Sequence, residues 1–341
     1  MNLIMAYLTH NWERLRLEPL GRPDHLSCLF ITPRFRASAH VVCVIFSLAD
    51  GKPCLVAKLP RLPEQADHLA HEANALSLVQ RARPGGFASV PRPLAFEAFR
   101  GWPILLETAL AGRPMTPAEV RRAPGQAVEL VTRWLVELHR ATITPASPDE
   151  WMARAVEEPL ERLLQRLPPE ADGERRLCEA TRHVAEELRH FFLPLVFEHG
   201  DLSHPNILLS SGQVGVVDWE LATPNGVPAA DLFFFLTFVA FARRDARELD
   251  AHVEAFLDAF FGPHPRHAEA VGQYARALCL PEPALPALFA LTWARYVAGL
   301  LGRLVPEGAV ADSATLAWLR ANRYFRLWQV TLERFDDLCL I

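Results

Sequence analysis

The sequence predicts an α+β protein in two parts: a small sheet carrying one helix, then a larger and mostly helical portion. Three observations lead there. Short runs rich in Val, Ile, Phe and Cys fill the first hundred residues. A single stretch of helical period interrupts them. Beyond a linker-like Ala111-Gly112-Arg113-Pro114, helical periods dominate to the end of the chain. The expected parts are residues 1–110 and 111–341.

In order, residues 26–31, 40–48 and 53–59 read as strands. Asp50-Gly51 is a hairpin signal between the second and third. Residues 63–83 read as a helix, because Leu69, Ala73, Leu76 and Val79 recur at three- and four-residue steps. Pro84-Gly85-Gly86 ends it. Two further apolar runs, 88–98 and 102–107, complete the sheet. The later part is expected to be helical over 127–141, 151–167, 174–192, 229–243, 246–261, 268–280, 284–304 and 311–338. Two short apolar runs, 193–197 and 214–217, lie inside it.

Composition narrows the function. The 341 residues are 50% hydrophobic and 22% charged, enough apolar material for a sizeable core. A net charge of −5 carries no footprint for a polyanion, so nucleic acid is not an expected partner. Six scattered cysteines (Cys28, Cys43, Cys54, Cys178, Cys279, Cys339) show no metal-ligand spacing and are read as reduced thiols. The N-terminus lacks the features of a signal peptide. The longest apolar run, 232–242, is too short for a bilayer, which needs about 20 residues. The segment 285–305 is long enough but holds Arg295 and Arg303, and reads as a buried amphipathic helix. A cytoplasmic protein without a membrane partner is expected.

The chemistry concentrates in His199-Gly200-Asp201-Leu202-Ser203-His204-Pro205-Asn206, which an apolar run enters and another leaves. Asp201 precedes Asn206 by five positions, and the run 214–217 ends in Asp218. The turn Ser210-Ser211-Gly212 brings Asn206 and Asp218 to one end of a hairpin. One carboxylate to orient a hydroxyl, with an amide and a second carboxylate to hold magnesium, suits phosphoryl transfer. A lone loop Asp is usually a cap or a turn residue; the joint pattern H-G-D-x4-N with V-V-D-W is far more specific. Upstream, Leu55-Val56-Ala57-Lys58 puts one of only two lysines at the end of an apolar strand, suited to nucleotide phosphates. Glu72, on the following helix, is placed to pair with it. His68, His71 and Glu72 read H-x-x-H-E, which is no zinc motif. His199 is read as a brace for its loop, and His204 as a substrate contact or surface residue.

These residues resemble the aminoglycoside phosphotransferase and choline kinase-like family, and the likeness covers most of the chain. It implies a two-lobed protein kinase-like fold, ATP and Mg2+ as cofactors, and a small-molecule hydroxyl as acceptor. His199-Gly200-Asp201-Leu202 with Asn206-Ile207-Leu208 is similar to its catalytic loop, with Asp201 catalytic and Asn206 a metal ligand. Val217-Asp218-Trp219-Glu220 resembles its metal-binding segment. Residues 105–112, Leu-Leu-Glu-Thr-Ala-Leu-Ala-Gly, resemble its hinge, which implies that the backbone around Glu107 and Ala109 pairs with adenine. Asp231 resembles an Asp that braces the catalytic loop. One departure is plain: the expected phosphate-covering loop, 32–39, contains no glycine. Contact with phosphate then falls to side chains, Ser38 and the arginines at 34 and 36. The same departure motivates an alternative, a nucleotide-binding regulatory protein with little transfer activity. The acceptor stays open among sugars, aminoglycoside-like molecules and amino alcohols.

Overall fold

The computed structural model describes residues 2–32, 40–262 and 266–341. Helix α1 (Leu3–Asn11) leads to strands β1 (Leu26–Ile31), β2 (His40–Ser47) and β3 (Pro53–Pro60), helix α2 (Asp67–Arg81), and strands β4 (Pro93–Phe99), β5 (Trp102–Thr108) and β6 (Arg113–Pro114). Helices α3 (Pro117–Arg122), α4 (Pro124–Thr142), α5 (Pro148–Met152), α6 (Glu158–Gln165) and α7 (Asp172–Ala185) follow. Strands β7 (Val196–Glu198), β8 (Ile207–Ser210), β9 (Gln213–Val216) and β10 (Thr223–Gly226) precede helices α8 (Ala230–Arg244), α9 (Leu249–Phe260), α10 (Ala268–Ala277), α11 (Leu285–Leu304), α12 (Ser313–Arg320) and α13 (Arg323–Glu333).

The chain divides into two compact units, Met1–Pro114 with Pro205–Ala222, and Met115–His204 with Thr223–Ile341. A boundary near residue 110 was expected to close the first part for good. The β8–β9 hairpin instead groups with the N-terminal residues, because β6 pairs with β8 and the Val216 N–H donates to the Ser89 carbonyl at 2.8 Å.

In the first unit strands β1 to β5 form an antiparallel sheet in the order β1-β2-β3-β5-β4, and β6, β8 and β9 form a second, three-stranded one. Strand side chains alternate between the faces. One face buries Cys43, Ile45, Leu55, Ala57, Leu59, Ile104 and Leu106 against Ile4, Tyr7, Leu8 and Trp12 of the N-terminal segment. Burial of each large apolar side chain there contributes about 1.5–3 kcal/mol. Val56 and Lys58 of β3, with Leu105 and Glu107 of β5, fall on the opposite face by the same alternation. Helix α1 is not among the elements the sequence predicts. It is apolar on most sides and so lacks a stripe. Its start is fixed by the Asn2 side chain, which accepts the Met5 N–H at 2.8 Å.

The second unit is built on α8 and α11. Every residue of α8 from Ala230 to Ala242 is buried, and Phe233 meets Phe289 of α11 edge to face at 5.0 Å. The segment Glu282–Leu304 is long and apolar enough to cross a membrane, but 78% of its apolar window is buried inside the protein. Two expected helices are broken. The stretch 151–167 passes through a π turn at Ala153–Glu157, where Pro159 removes an N–H from the ladder. The stretch 311–338 restarts at Asn322, whose side chain accepts the Tyr324 N–H at 3.0 Å and caps α13.

Candidate active site

In the first unit, strand alternation explains how the charges meet. Lys58 pairs in register with Leu105, and Val56 with Glu107. Lys58 and Glu107 are therefore diagonal neighbours on one face. The Lys58 Nζ lies 2.5 Å from Glu72 Oε1, 3.4 Å from Asp218 Oδ1 and 4.0 Å from Glu107 Oε1. Lys58, Glu72 and Glu107 are all buried. Burial alone would drive the ammonium toward its neutral form. The carboxylates of Glu72, Glu107 and Asp218 outweigh it and hold the Lys58 pKa well above the usual value. The Glu72 carboxylate also accepts the Trp219 N–H at 2.9 Å, tying α2 to the segment after β9. Glu107 carries the cost of this crowding. Burial, with Glu72 and Asp218 adding to it against the opposing pull of Lys58, pushes its pKa up to about 8.

Asp218 stands at φ 69°, in the left-handed region that few side chains other than Gly, Asn and Asp adopt readily. Its carboxylate is 35% exposed, unlike the buried groups around it. Trp219 behind it is fully buried and donates its indole N–H to the Val216 carbonyl at 3.0 Å. Asn206 sits at the other foot of the hairpin, where its carbonyl accepts the Val217 N–H at 3.0 Å. The structure thus places Asn206 and Asp218 together, as it does Lys58, Glu72 and Glu107. The partly exposed Asp218 carboxylate and the Asn206 amide, one from each foot of the hairpin, are hard oxygen donors of the kind a magnesium ion takes beside waters and substrate phosphates. His40 lies beside the same group, its Nδ1 3.1 Å from Glu220 Oε2 and its Nε2 4.0 Å from Asp218 Oδ1. The Ala109 N–H donates to the Cys54 carbonyl at 3.2 Å. His71, weighed above as a metal ligand, has its Nε2 at 2.7 Å from the Ala222 carbonyl. Ser38 and the rest of 33–39 lie outside the described residues.

Asp201 belongs to the second unit. Strand β7 delivers it through Gly200, whose φ of 80° lets the chain turn sharply. Asp231 at the start of α8 fastens this turn: Oδ2 accepts the His199 N–H at 2.7 Å and Oδ1 the Gly200 N–H at 2.9 Å. Asp231 is fully enclosed, which would raise its pKa, but hydrogen bonds and charge from His139 and His199 keep it below the ordinary carboxylate value. His139 is held in turn by the Tyr274 hydroxyl at 2.6 Å, and that hydroxyl also accepts the Ala229 N–H at 2.9 Å. The Asp201 N–H donates to His199 Nδ1 at 3.3 Å, and its carbonyl accepts the Ser203 N–H at 2.8 Å. Glu198 accepts from Val227 N–H and from Arg295, both at 2.9 Å, so the arginine inside α11 neutralises a buried acid.

Sequence reasoning assigned Glu107 a backbone role and missed its side chain. The alternation in Leu105-Leu106-Glu107, set against Lys58 two strand positions beyond Val56, was the signal available. Neither His139 nor Tyr274 is singled out by the sequence, because nothing local marks either one.

Lys58 with Glu72, Asn206 and Asp218 on one hairpin, and Asp201 after a braced turn, are residue types that phosphoryl transfer calls for. The chain belongs to the phosphotransferase enzyme family, whose profile matches residues 44–271. Its fold is similar to that of amicoumacin kinase hAmiN in complex with AMP-PNP, Ca2+ and Ami, at 14% identity and TM-score 0.57, covering 99% of this chain and 96% of that one. It is similar also to a thermostable mutant of aminoglycoside phosphotransferase APH(4)-Ia in ternary complex with AMP-PNP and hygromycin B, at 12% identity and TM-score 0.53, covering 95% and 98%. A choline/ethanolamine kinase family protein from Mesorhizobium loti aligns at 17% identity and TM-score 0.50, covering 96% and 97%. No curated protein matches the sequence.

Proposed function

We propose that the chain transfers the γ-phosphoryl group of ATP, with magnesium, to a hydroxyl of a small polar molecule in the cytoplasm. The observation that carries this reading is the buried Lys58–Glu72 pair with Asp218 at 3.4 Å from the same ammonium. A lysine held charged by its neighbours meets nucleotide phosphates, and Glu72 fixes where it points. Asn206 and Asp218 would hold the magnesium, which when bound neutralises charge on the phosphate oxygens. At the end of β5 the Ala109 N–H is already engaged, so its carbonyl is the group that meets the base edge, with Glu107 beneath. Asp201 accepts the proton of the attacking hydroxyl, and Asp231 keeps it in place through the backbone of His199 and Gly200. The structures of hAmiN and of the APH(4)-Ia mutant hold AMP-PNP, the first with Ca2+, which supports a nucleotide–metal site in this fold.

Thermal shift with ATP and magnesium, followed by a mass-spectrometric screen of hydroxyl acceptors, tests the proposal. ATP with magnesium is expected to stabilise the native chain and not its Lys58→Ala variant, and at least one acceptor is expected to gain a phosphate. Stabilisation with no product across a broad panel would favour the regulatory alternative. Absence of any nucleotide effect would reject both.

A further inference from the structure

The second unit gathers tyrosines and arginines near the loop that carries Asp201, which His204 joins to them through Phe238. Tyr296 of α11 and Tyr324 of α13 have ring centroids 4.3 Å apart. Burial is the main cause that raises the pKa of both hydroxyls, and the charge of Asp201 adds to it. Each tyrosine has an arginine against it. The Arg323 guanidinium lies 4.9 Å from the Tyr324 ring centroid and donates to its hydroxyl at 3.0 Å, while Arg303 lies 5.9 Å from the ring of Tyr296. Arg323 also lies 5.2 Å from the ring of Phe238, which His204 contacts from another direction at 5.7 Å. Burial and Arg323 together lower the His204 pKa.

Three features of this cluster bear on the acceptor. Asp201, His204, Tyr296, Arg303 and Arg323 are half-buried, whereas Trp293 is sealed in the core. Arg303 and Arg323 form no ion pair with a carboxylate among the described residues, and Arg303 Nε has no hydrogen-bond partner there. The aromatic faces that would attract a ligand cation are already occupied by these arginines. The acids of residues 245–258, which could otherwise cradle a polycation, are engaged elsewhere or solvated. Asp245, Glu248, Asp250, Glu254 and Asp258 are all exposed, Asp245 pairs with Arg121 at 2.8 Å, and Asp258 pairs with Arg266 at 3.0 Å.

We infer that the hydroxyl compound presented to Asp201 is an anion, a hydroxylated carboxylate held by Arg303 and Arg323 with its ring or carbon frame against Tyr296 and Tyr324, and not an aminoglycoside or an amino alcohol. This rests on the phosphotransfer reading above and names its substrate class. Two guanidiniums with free donors bind a carboxylate by charge-assisted hydrogen bonds. A cationic acceptor would meet two like charges in the same place and lose affinity. The two guanidiniums outweigh Asp201 by one charge, and the carboxylate of the acceptor offsets it.

The test compares three acceptor sets at equal concentration with ATP and magnesium: sugar acids and aromatic hydroxy acids (glucuronate, gluconate, hydroxybenzoates), neutral sugars (glucose, ribose), and cations (glucosamine, hygromycin B, choline). Product is read by mass spectrometry. The inference expects product from the acids ahead of the other two. Arg323→Gln and Arg303→Gln should each raise KM for the acid about tenfold or more, leaving KM for ATP and thermal stability nearly unchanged. Arg323→Lys should restore part of the loss, which a packing role alone would not produce. Product foremost from cations or neutral sugars, or an unchanged acid KM in both glutamine variants, would overturn the inference and leave phosphotransfer standing. Product from none of the sets, with ATP binding intact, would overturn phosphotransfer and the inference with it.

Discussion

Lys58 shares its surroundings with three carboxylates, and the excess negative charge falls on Glu107. Its folded pKa of about 8 lies above the ordinary value of 4.5. A carboxyl raised in this way binds its proton more tightly folded than unfolded. It therefore favours the fold at low pH, and that advantage is lost as pH rises from near 4.5 through about 8. Glu107→Gln removes the titration. The variant's Tm, measured without nucleotide, should rise relative to the native chain between pH 6 and pH 9, whereas a constant difference would show that Glu107 does not titrate there. Asp231 behaves oppositely. Its lowered pKa stabilises the fold above about pH 4, and that contribution fades as pH falls below it. Asp231→Asn should cost about 1–3 kcal/mol at pH 7, with the gap to the native chain narrowing in acid. At this scale the sequence was legible where residues are rare or locally patterned. Lys58 stood out as one of two lysines, and Asp201, Asn206 and Asp218 lie within eighteen residues of chain. The Glu107 side chain and the His139–Tyr274 support depend on pairing between segments far apart in sequence, which no local pattern encodes.

Elements succeed or fail by their ends. Strands β1 to β3 and the β8–β9 turn could be read from β-branched runs and from Asp50-Gly51 and Ser211-Gly212. The long segment 311–338 could not, because its apolar period continues through the break at Asn322 while the cap that divides it acts on the backbone. Asn322→Ala should destabilise by about 0.5–2 kcal/mol in chemical denaturation, and an unchanged midpoint would reject the capping role. At β10 the constraint is space. A Cβ built on Gly226 would lie 2.2 Å from the Glu198 Cβ, inside the pair β7–β10 that leads into the His199–Asp201 turn. Gly226→Ala should therefore lower stability by about 1–3 kcal/mol and reduce turnover together; full stability with full activity would show that the strands yield freely.

On the scale of the whole molecule, the α+β class and the succession of sheet, then helices, were legible from period and turn chemistry. The grouping of the β8–β9 hairpin with the N-terminal sheet was not, since a two-residue strand such as β6 has no signature. The two units divide the proposed labour. One carries Lys58, Glu72, Asn206 and Asp218; the other carries Asp201 and the arginine–tyrosine cluster. Nucleotide binding and transfer should therefore be separable by mutation. The most direct measurement is single-turnover transfer of labelled phosphate from ATP–magnesium to the best acceptor, in the native chain and in Asp201→Asn, with ATP affinity measured by calorimetry in both. The expected result is unchanged ATP affinity and a fall in transfer of about 10²–10⁴-fold. Transfer at the native rate in the Asn variant would contradict the assignment of Asp201 and the phosphotransfer mechanism built on it.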